Sequence, residues 1–122
     1  MPGPARAGAL LYAADIERIA SFYQQLLAMV RLAASAERIV LESPDFQLLV
    51  HALPPQVPAP PAGPRSSALR LFFTVDNLAT TREQAASLGG NIERQEWQGP
   101  GFTVCNATDP EGNVFQVREF HS

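Results

Sequence analysis

The sequence predicts an α+β fold built from two successive β-α-β-β-β units, and three observations carry that prediction. The order strand, helix, then several short strands occurs twice along the chain, which makes an internal repeat the simplest explanation. Between the two runs lies "HALPPQVPAPPAGPRSS", residues 51 to 67, whose prolines exclude a helix or an interior strand. Each run also reaches its closing strand through a similar turn, "SPDF" in the first and "DPEG" in the second.

The first unit, about 6–53, opens on "GALLYAAD", an apolar stretch suited to a strand, after which Asp15 caps the helix "IERIASFYQQLLAM". Ile16, Ile19, Tyr23 and Leu26 recur at helical spacing and define its buried stripe. The strands "RLAAS", "RIVLES" and "FQLLVHAL" follow. Residues 54–67 read as a Pro-rich linker.

The second unit, 68–120, repeats the plan with a stronger first strand, "RLFFTVDN". Asp76 or Asn77 caps "LATTREQAASL", and the pair Gly89-Gly90 ends that helix by supplying positive φ. The strands "NIERQEW", "GFTVCNAT" and "NVFQVREF" close the unit. Alternation puts Phe115 and Val117 on one face of the last strand and Val114, Gln116 and Arg118 on the other. A sheet covered by a helix on one face leaves its other face free. Two such curved mixed sheets, helices outward, frame a central cleft.

Composition narrows the function. With 122 residues and 46% hydrophobic content, the chain is long enough for one core and short for two independent domains, so 1–122 reads as a single domain. The nine basic residues are all Arg and the formal charge is −3, which is no basic stripe for nucleic acid. No apolar run is long enough to span a bilayer, and "MPGPARAGALLYAAD" lacks a signal-peptide core, so a cytoplasmic location with no membrane partner is expected. The single cysteine, Cys105, excludes an internal disulfide.

"DPEGNVFQV", "VDNLATTREQAASLGGNI" and "AADIERIASFYQQLLAM", in their order and spacing, resemble the vicinal oxygen chelate superfamily, which contains glyoxalase I, extradiol dioxygenases and bleomycin-resistance proteins. The resemblance covers nearly the whole chain. It implies the two-unit fold, and in catalytic members a divalent metal held by His, Glu or Gln from the first and last strand of each unit, with positions left open for substrate. Matched position by position, the first strands offer Gly8, which has no side chain, and Arg70, which is a permanent cation. The closing strand of the second unit offers Gln116, and that of the first offers one of Leu49, Val50 or His51. The catalytic metal site is therefore expected to be lost, leaving His51 and Gln116 as the weak alternative donors and no cofactor.

In place of metal ligands, strand parity directs Tyr12, Arg70, Phe72, Gln116 and Arg118 into the cleft. The loop "EWQGPGF" adds Trp97 and Phe102 on either side of a glycine-proline turn, where a flat ring fits between them or the Trp packs on a neighbouring subunit. Aromatic walls with a few polar groups are the general make-up of a small-molecule pocket. The expectation is a non-catalytic binding protein of the bleomycin-resistance kind, sequestering an aromatic or anionic compound or antibiotic. The alternatives are a metal-dependent lyase or dioxygenase with atypical ligands, and an accessory module that uses only its surface. The family resemblance also implies a homodimer, since open sheet edges and apolar faces need cover.

Overall fold

Helix α1 (Ile16–Leu27) begins where Asp15 leaves the extended region and its carboxylate accepts from the Arg18 N–H at 3.1 Å. In the computed structural model, which describes residues 5–56 and 68–121, this helix follows β1 (Gly8–Ala13) and precedes β2 (Val30–Ala34), β3 (Arg38–Ser43) and β4 (Phe46–Ala52). The second run is β5 (Phe72–Thr74), α2 (Leu78–Ser87), β6 (Asn91–Ile92), β7 (Trp97–Gly99), β8 (Phe102–Thr108) and β9 (Val114–Phe120). Together they make two helices and two mixed sheets, an α+β fold. The chain divides into compact units Met1–Pro61 and Ala62–Ser122. Of the Pro-rich segment 54–67, residues 57–67 lie outside the described residues.

In the first unit the strands run in the order β1-β4-β3-β2, with β1 parallel to β4 and the other pairs antiparallel. Alternation gives Ile39, Leu41, Leu48 and Val50 to the face under α1, where all four are buried. The helix answers with Ile19, Tyr23 and Leu26 of the expected stripe, together with Ala20 and Phe22, while Ile16 is only half-buried. Phe22 and Tyr23 pack edge to face with ring centroids 5.1 Å apart. Arg31 on β2 reaches back to the helix, donating to Glu17 at 2.9 Å and to the Gln24 side chain at 3.0 Å. The helix stops at Ala28, which takes the left-handed conformation at φ 52° and lets the Met29 N–H reach the Gln24 carbonyl at 3.1 Å.

The second unit repeats this arrangement with β5-β9-β8-β6, and β7 also pairs with β8. Its helix is capped by Asn77, whose side chain accepts from the Thr80 N–H at 2.9 Å. The Glu119 carboxylate on β9 accepts from the Leu78 N–H at 2.6 Å, placing negative charge at the positive end of α2. Gly89, at φ 92°, turns the chain so that the Gly90 N–H bonds the Ala85 carbonyl at 2.9 Å. Phe115, Val117, Cys105 and Ala107 are buried on the helix side, and Phe73 meets Phe115 edge on.

The segment expected as one strand, "NIERQEW", is two. Ile92 pairs with Ala107 and Trp97 with Val104, so five steps on one strand face three on the other. The surplus falls in Glu93–Glu96, where the Glu93 N–H still bonds the Asn106 carbonyl at 2.9 Å before the ladder breaks between β6 and β7. The first strand of this unit is also shorter than expected, only Phe72–Thr74.

Before β9 the chain turns through Asp109–Gly112. The Asp109 carboxylate, 3% exposed, accepts from the Glu111 N–H (2.9 Å), the Asn113 N–H (3.0 Å) and the Asn113 side-chain amide (2.8 Å). Pro110 fixes φ, and Gly112 at φ 88° bonds back to the Asp109 carbonyl at 2.9 Å. The turn thereby sets which residues of β9 face the helix and which face away.

Candidate functional site

Register alone assembles a face on the second sheet. Phe72 pairs with Gln116 and Thr74 with Arg118. Across β9, Gln116 pairs with Asn106, Arg118 with Val104 and Phe120 with Phe102, while Trp97 stands opposite Val104. Paired residues share a face, so these side chains all project away from α2. Arg70 precedes β5 and joins the same face, because its Nη1 donates to the Asn106 Oδ1 at 3.3 Å.

Arg118 is the centre of this face. Its guanidinium carbon lies 4.4 Å from the Phe72 ring centroid, 4.9 Å from Phe120 and 5.1 Å from Phe102. Rings at these distances attract a cation through their negative faces. The Arg118 Nε donates to the Thr74 hydroxyl at 3.0 Å, which fixes the plane of the group. Beside it, Asn106 Oδ1 accepts from the Gln116 Nε2 at 3.1 Å as well as from Arg70. One amide oxygen therefore orients two of the polar side chains.

Of the residues predicted to bind ligand, the structure brings Arg70, Phe72, Trp97, Phe102, Gln116 and Arg118 to this one face. Tyr12 lies on the corresponding open face of the first sheet, 45% exposed, with its ring edge on to His51 at 5.7 Å. Gly99 pairs with Phe102, and the Phe102 ring folds across it so closely that a Cβ on Gly99 would collide with the ring. Trp97 stands two residues away and makes no ring contact with Phe102 among the described residues. Sequence reasoning passed over Phe120 and Asn106. Parity with Arg118 was the available signal for Phe120, and parity with Val104 places Asn106, but its amide role depends on neighbours from two other segments.

The register also settles which residue of the first unit corresponds to Gln116. Gly8 pairs with Gln47 and Ala13 with Ala52, while the Val75 N–H bonds the Arg118 carbonyl beside the Thr74–Arg118 pair. Counting back from these matched ends, Leu49 is the counterpart of Gln116, and His51 is that of Arg118. The four positions that the superfamily resemblance matches to metal ligands are thus Gly8, Leu49, Arg70 and Gln116. A Cβ at Gly8 would strike the Gln47 carbonyl oxygen, so no donor side chain fits there on this backbone. Leu49 offers no lone pair, Arg70 is cationic, and Gln116 is a single neutral amide. This donor set does not fit a divalent metal. His51 brings its Nδ1 to the Ala52 carbonyl oxygen at 2.7 Å, and among the described residues no group of three or more His, Cys, Asp or Glu is placed to hold a cation.

Two successive frames, β-α-β-β-β in the first unit and β-α-β-β-β-β in the second, each with a helix on one face of its sheet and an open opposite face, define the class of protein. The model of the glyoxalase-like domain matches residues 9–118, and the chain belongs to that family, within the vicinal oxygen chelate superfamily. Solved structures share the fold. A glyoxalase/bleomycin resistance protein/dioxygenase family enzyme from Burkholderia phytofirmans is 17% identical, with a TM-score of 0.73 over 93% of this chain and 96% of that one. A glyoxalase/bleomycin resistance protein from Albidiferax ferrireducens is also 17% identical, with a TM-score of 0.70 over 93% and 95%. A lactoylglutathione lyase from Agrobacterium tumefaciens is 21% identical, with a TM-score of 0.63 over 98% and 96%. No curated protein matches the sequence.

Proposed function

We propose that this glyoxalase-like chain binds and sequesters a small aromatic or anionic molecule, an antibiotic being the family's precedent, without transforming it. One observation carries the reading: the positions that serve metal in catalytic relatives hold Gly8, Leu49, Arg70 and Gln116, while the open face of the second sheet presents an aromatic-lined Arg118. Chemistry of the kind named for the Agrobacterium lyase needs a Lewis acid in this superfamily, and the donor set here gives it no seat.

The chain acts in the cytoplasm as a homodimer. Exposed Val30, Leu32 and Leu69 are large apolar groups that a second copy would cover. Among the described residues no helix is long and apolar enough to cross a membrane.

Untagged protein dialysed against Zn, Ni, Mn and Fe and then against buffer should retain none of them at stoichiometric level. It should show no lyase activity, and Trp97 emission should change on addition of a binding aromatic compound. Retention of one metal per chain together with turnover would refute the proposal. Sedimentation at micromolar concentration showing only a 13.2 kDa species would refute the dimer.

A further inference from the structure

We infer that the open face of the second sheet is an anion receptor, built to grip a carboxylate or phosphate attached to an aromatic ring, with Arg70 and Arg118 as its two arms and Asn106 as the residue that positions them. The inference rests on the binding function proposed above and names the ligand's chemistry.

Two guanidinium groups reach the same row of side chains from opposite directions. Phe72, Gln116 and Asn106 are neighbours across β5, β9 and β8. Arg70 comes to that row from before β5, placing Nη1 at 3.3 Å from the Asn106 oxygen. Arg118 comes to it from further along β9, placing its guanidinium carbon 4.4 Å from the Phe72 centroid. Like charges brought together destabilise a face unless something negative offsets them.

Among the described residues nothing supplies that charge. Among the described residues neither arginine has a carboxylate at ion-pair distance, whereas Arg31 and Arg82 elsewhere in the chain do. Alternation puts no Asp or Glu on this face of β5, β7, β8 or β9. The chain as a whole is acidic, at −3, so two unpaired cations on one face are a local arrangement and not a reflection of composition.

The donors are also left in a usable state. Arg118 spends Nε on Thr74 and surrounds its guanidinium with rings, so both terminal nitrogens keep their N–H groups without an acceptor among the described residues. A planar fork of that kind matches an oxyanion in bidentate fashion. Arg70 has one bond, to Asn106, and keeps its other donors. Phe72 at 56% exposure and Trp97 at 43% then offer ring surface for the apolar body of the ligand.

Asn106 is a positioning residue. Its Oδ1 takes hydrogen bonds from both Gln116 and Arg70, orienting them without adding charge. An Asp at this place would keep the acceptor and neutralise Arg70.

The test uses three ring probes of similar size: benzoate, phenyl phosphate and neutral benzamide. Each is titrated into the full chain while the Arg118 and Arg70 Nε–Hε resonances are followed by NMR. Benzoate or phenyl phosphate should shift both, with benzamide weaker by about tenfold or more, and the stronger of the two anions identifies the oxyanion preferred. Arg70→Gln, Arg118→Gln and Asn106→Asp should each weaken that anion by about tenfold or more, while Arg94→Gln leaves it unchanged. Asn106→Leu, which removes the acceptor and adds no charge, should weaken it less than Asn106→Asp. Equal binding of all three probes would overturn the anion inference and leave the binding function standing. Failure of every probe to move either resonance at millimolar concentration would overturn both.

Discussion

Phe115 and Gln116 are consecutive residues on β9, and replacing each by Ala should have sharply different consequences. Phe115 is 1% exposed and meets Phe73 edge on with centroids 6.1 Å apart. A buried Phe removes roughly 200 Å² from water, which at about 25 cal/mol per Å² is about 5 kcal/mol as an upper value. The ring pair adds about 1 kcal/mol, and the Cβ that Ala retains takes part of the total away. The expected cost of Phe115→Ala is therefore about 3 to 5 kcal/mol, in the range measured for buried Phe in cores. Gln116 is half-buried and gives one hydrogen bond, to Asn106, so Gln116→Ala should cost about 1 kcal/mol or less. For a chain of this size 1 kcal/mol moves Tm by roughly 3 to 5 °C, so the two variants should differ by roughly 10 °C or more. Thermal unfolding followed by far-ultraviolet circular dichroism, with urea titration for the free energies, measures both. If Gln116→Ala unfolds the protein as readily as Phe115→Ala, the polar side chains of the second sheet belong to a closed core, and the assignment of that face to ligand binding fails.

Other changes test separate parts of the structure. Asp109→Ala removes an acceptor shared by three N–H groups in a buried turn and should cost about 2 to 4 kcal/mol by urea titration; a cost under about 0.5 kcal/mol would mean the turn holds through Pro110 and Gly112 alone. Ala28→Gly relieves a left-handed residue and should raise stability by roughly 0.5 to 1 kcal/mol after the greater freedom of the unfolded glycine is counted, and a loss of stability would contradict the cap geometry. Burial pushes the Cys105 thiol up from its ordinary 9.0, with Arg82 opposing. Above that ordinary value the unfolded chain releases the thiol proton while the folded chain keeps it, so stability present at neutral pH should decline as pH rises beyond about 9, and Cys105→Ala should remove that part of the slope.

The parts of the fold that were legible in the sequence are those set by local chemistry. Asp15, and the pair Asp76-Asn77, mark helix starts because a short polar side chain can reach back to a helix N–H; Asp15 and Asn77 do so in the structure. The "DPEG" turn announces β9 because three residues restrict the backbone by separate means, and period-two alternation then separates Phe115 and Val117 from Gln116 and Arg118. What was not legible depends on pairing between distant segments. The break between β6 and β7 arises from the unequal spacing against β8, and no feature of "NIERQEW" alone reveals it. The choice among Leu49, Val50 and His51 needed the ladder to β1. The Phe102 ring crosses Gly99, a matter of cross-strand neighbours that a linear reading of "EWQGPGF" does not contain.

The parallel pairing of each opening strand with its closing strand has a consequence for the order of events during synthesis. Leu10 finds its partner only when Leu49 has been made, and Phe72 waits 44 residues for Gln116. At about 5 to 20 residues per second, β5 spends roughly 2 to 9 s on the nascent chain with its ladder unfilled, carrying two adjacent phenylalanines. The first sheet has all its strands by Ala52, twenty residues before β5 begins at Phe72. The two waiting periods therefore do not overlap in synthesis, and β1 has its own partner available before β5 exists, which disfavours an exchange of partners between β1 and β5.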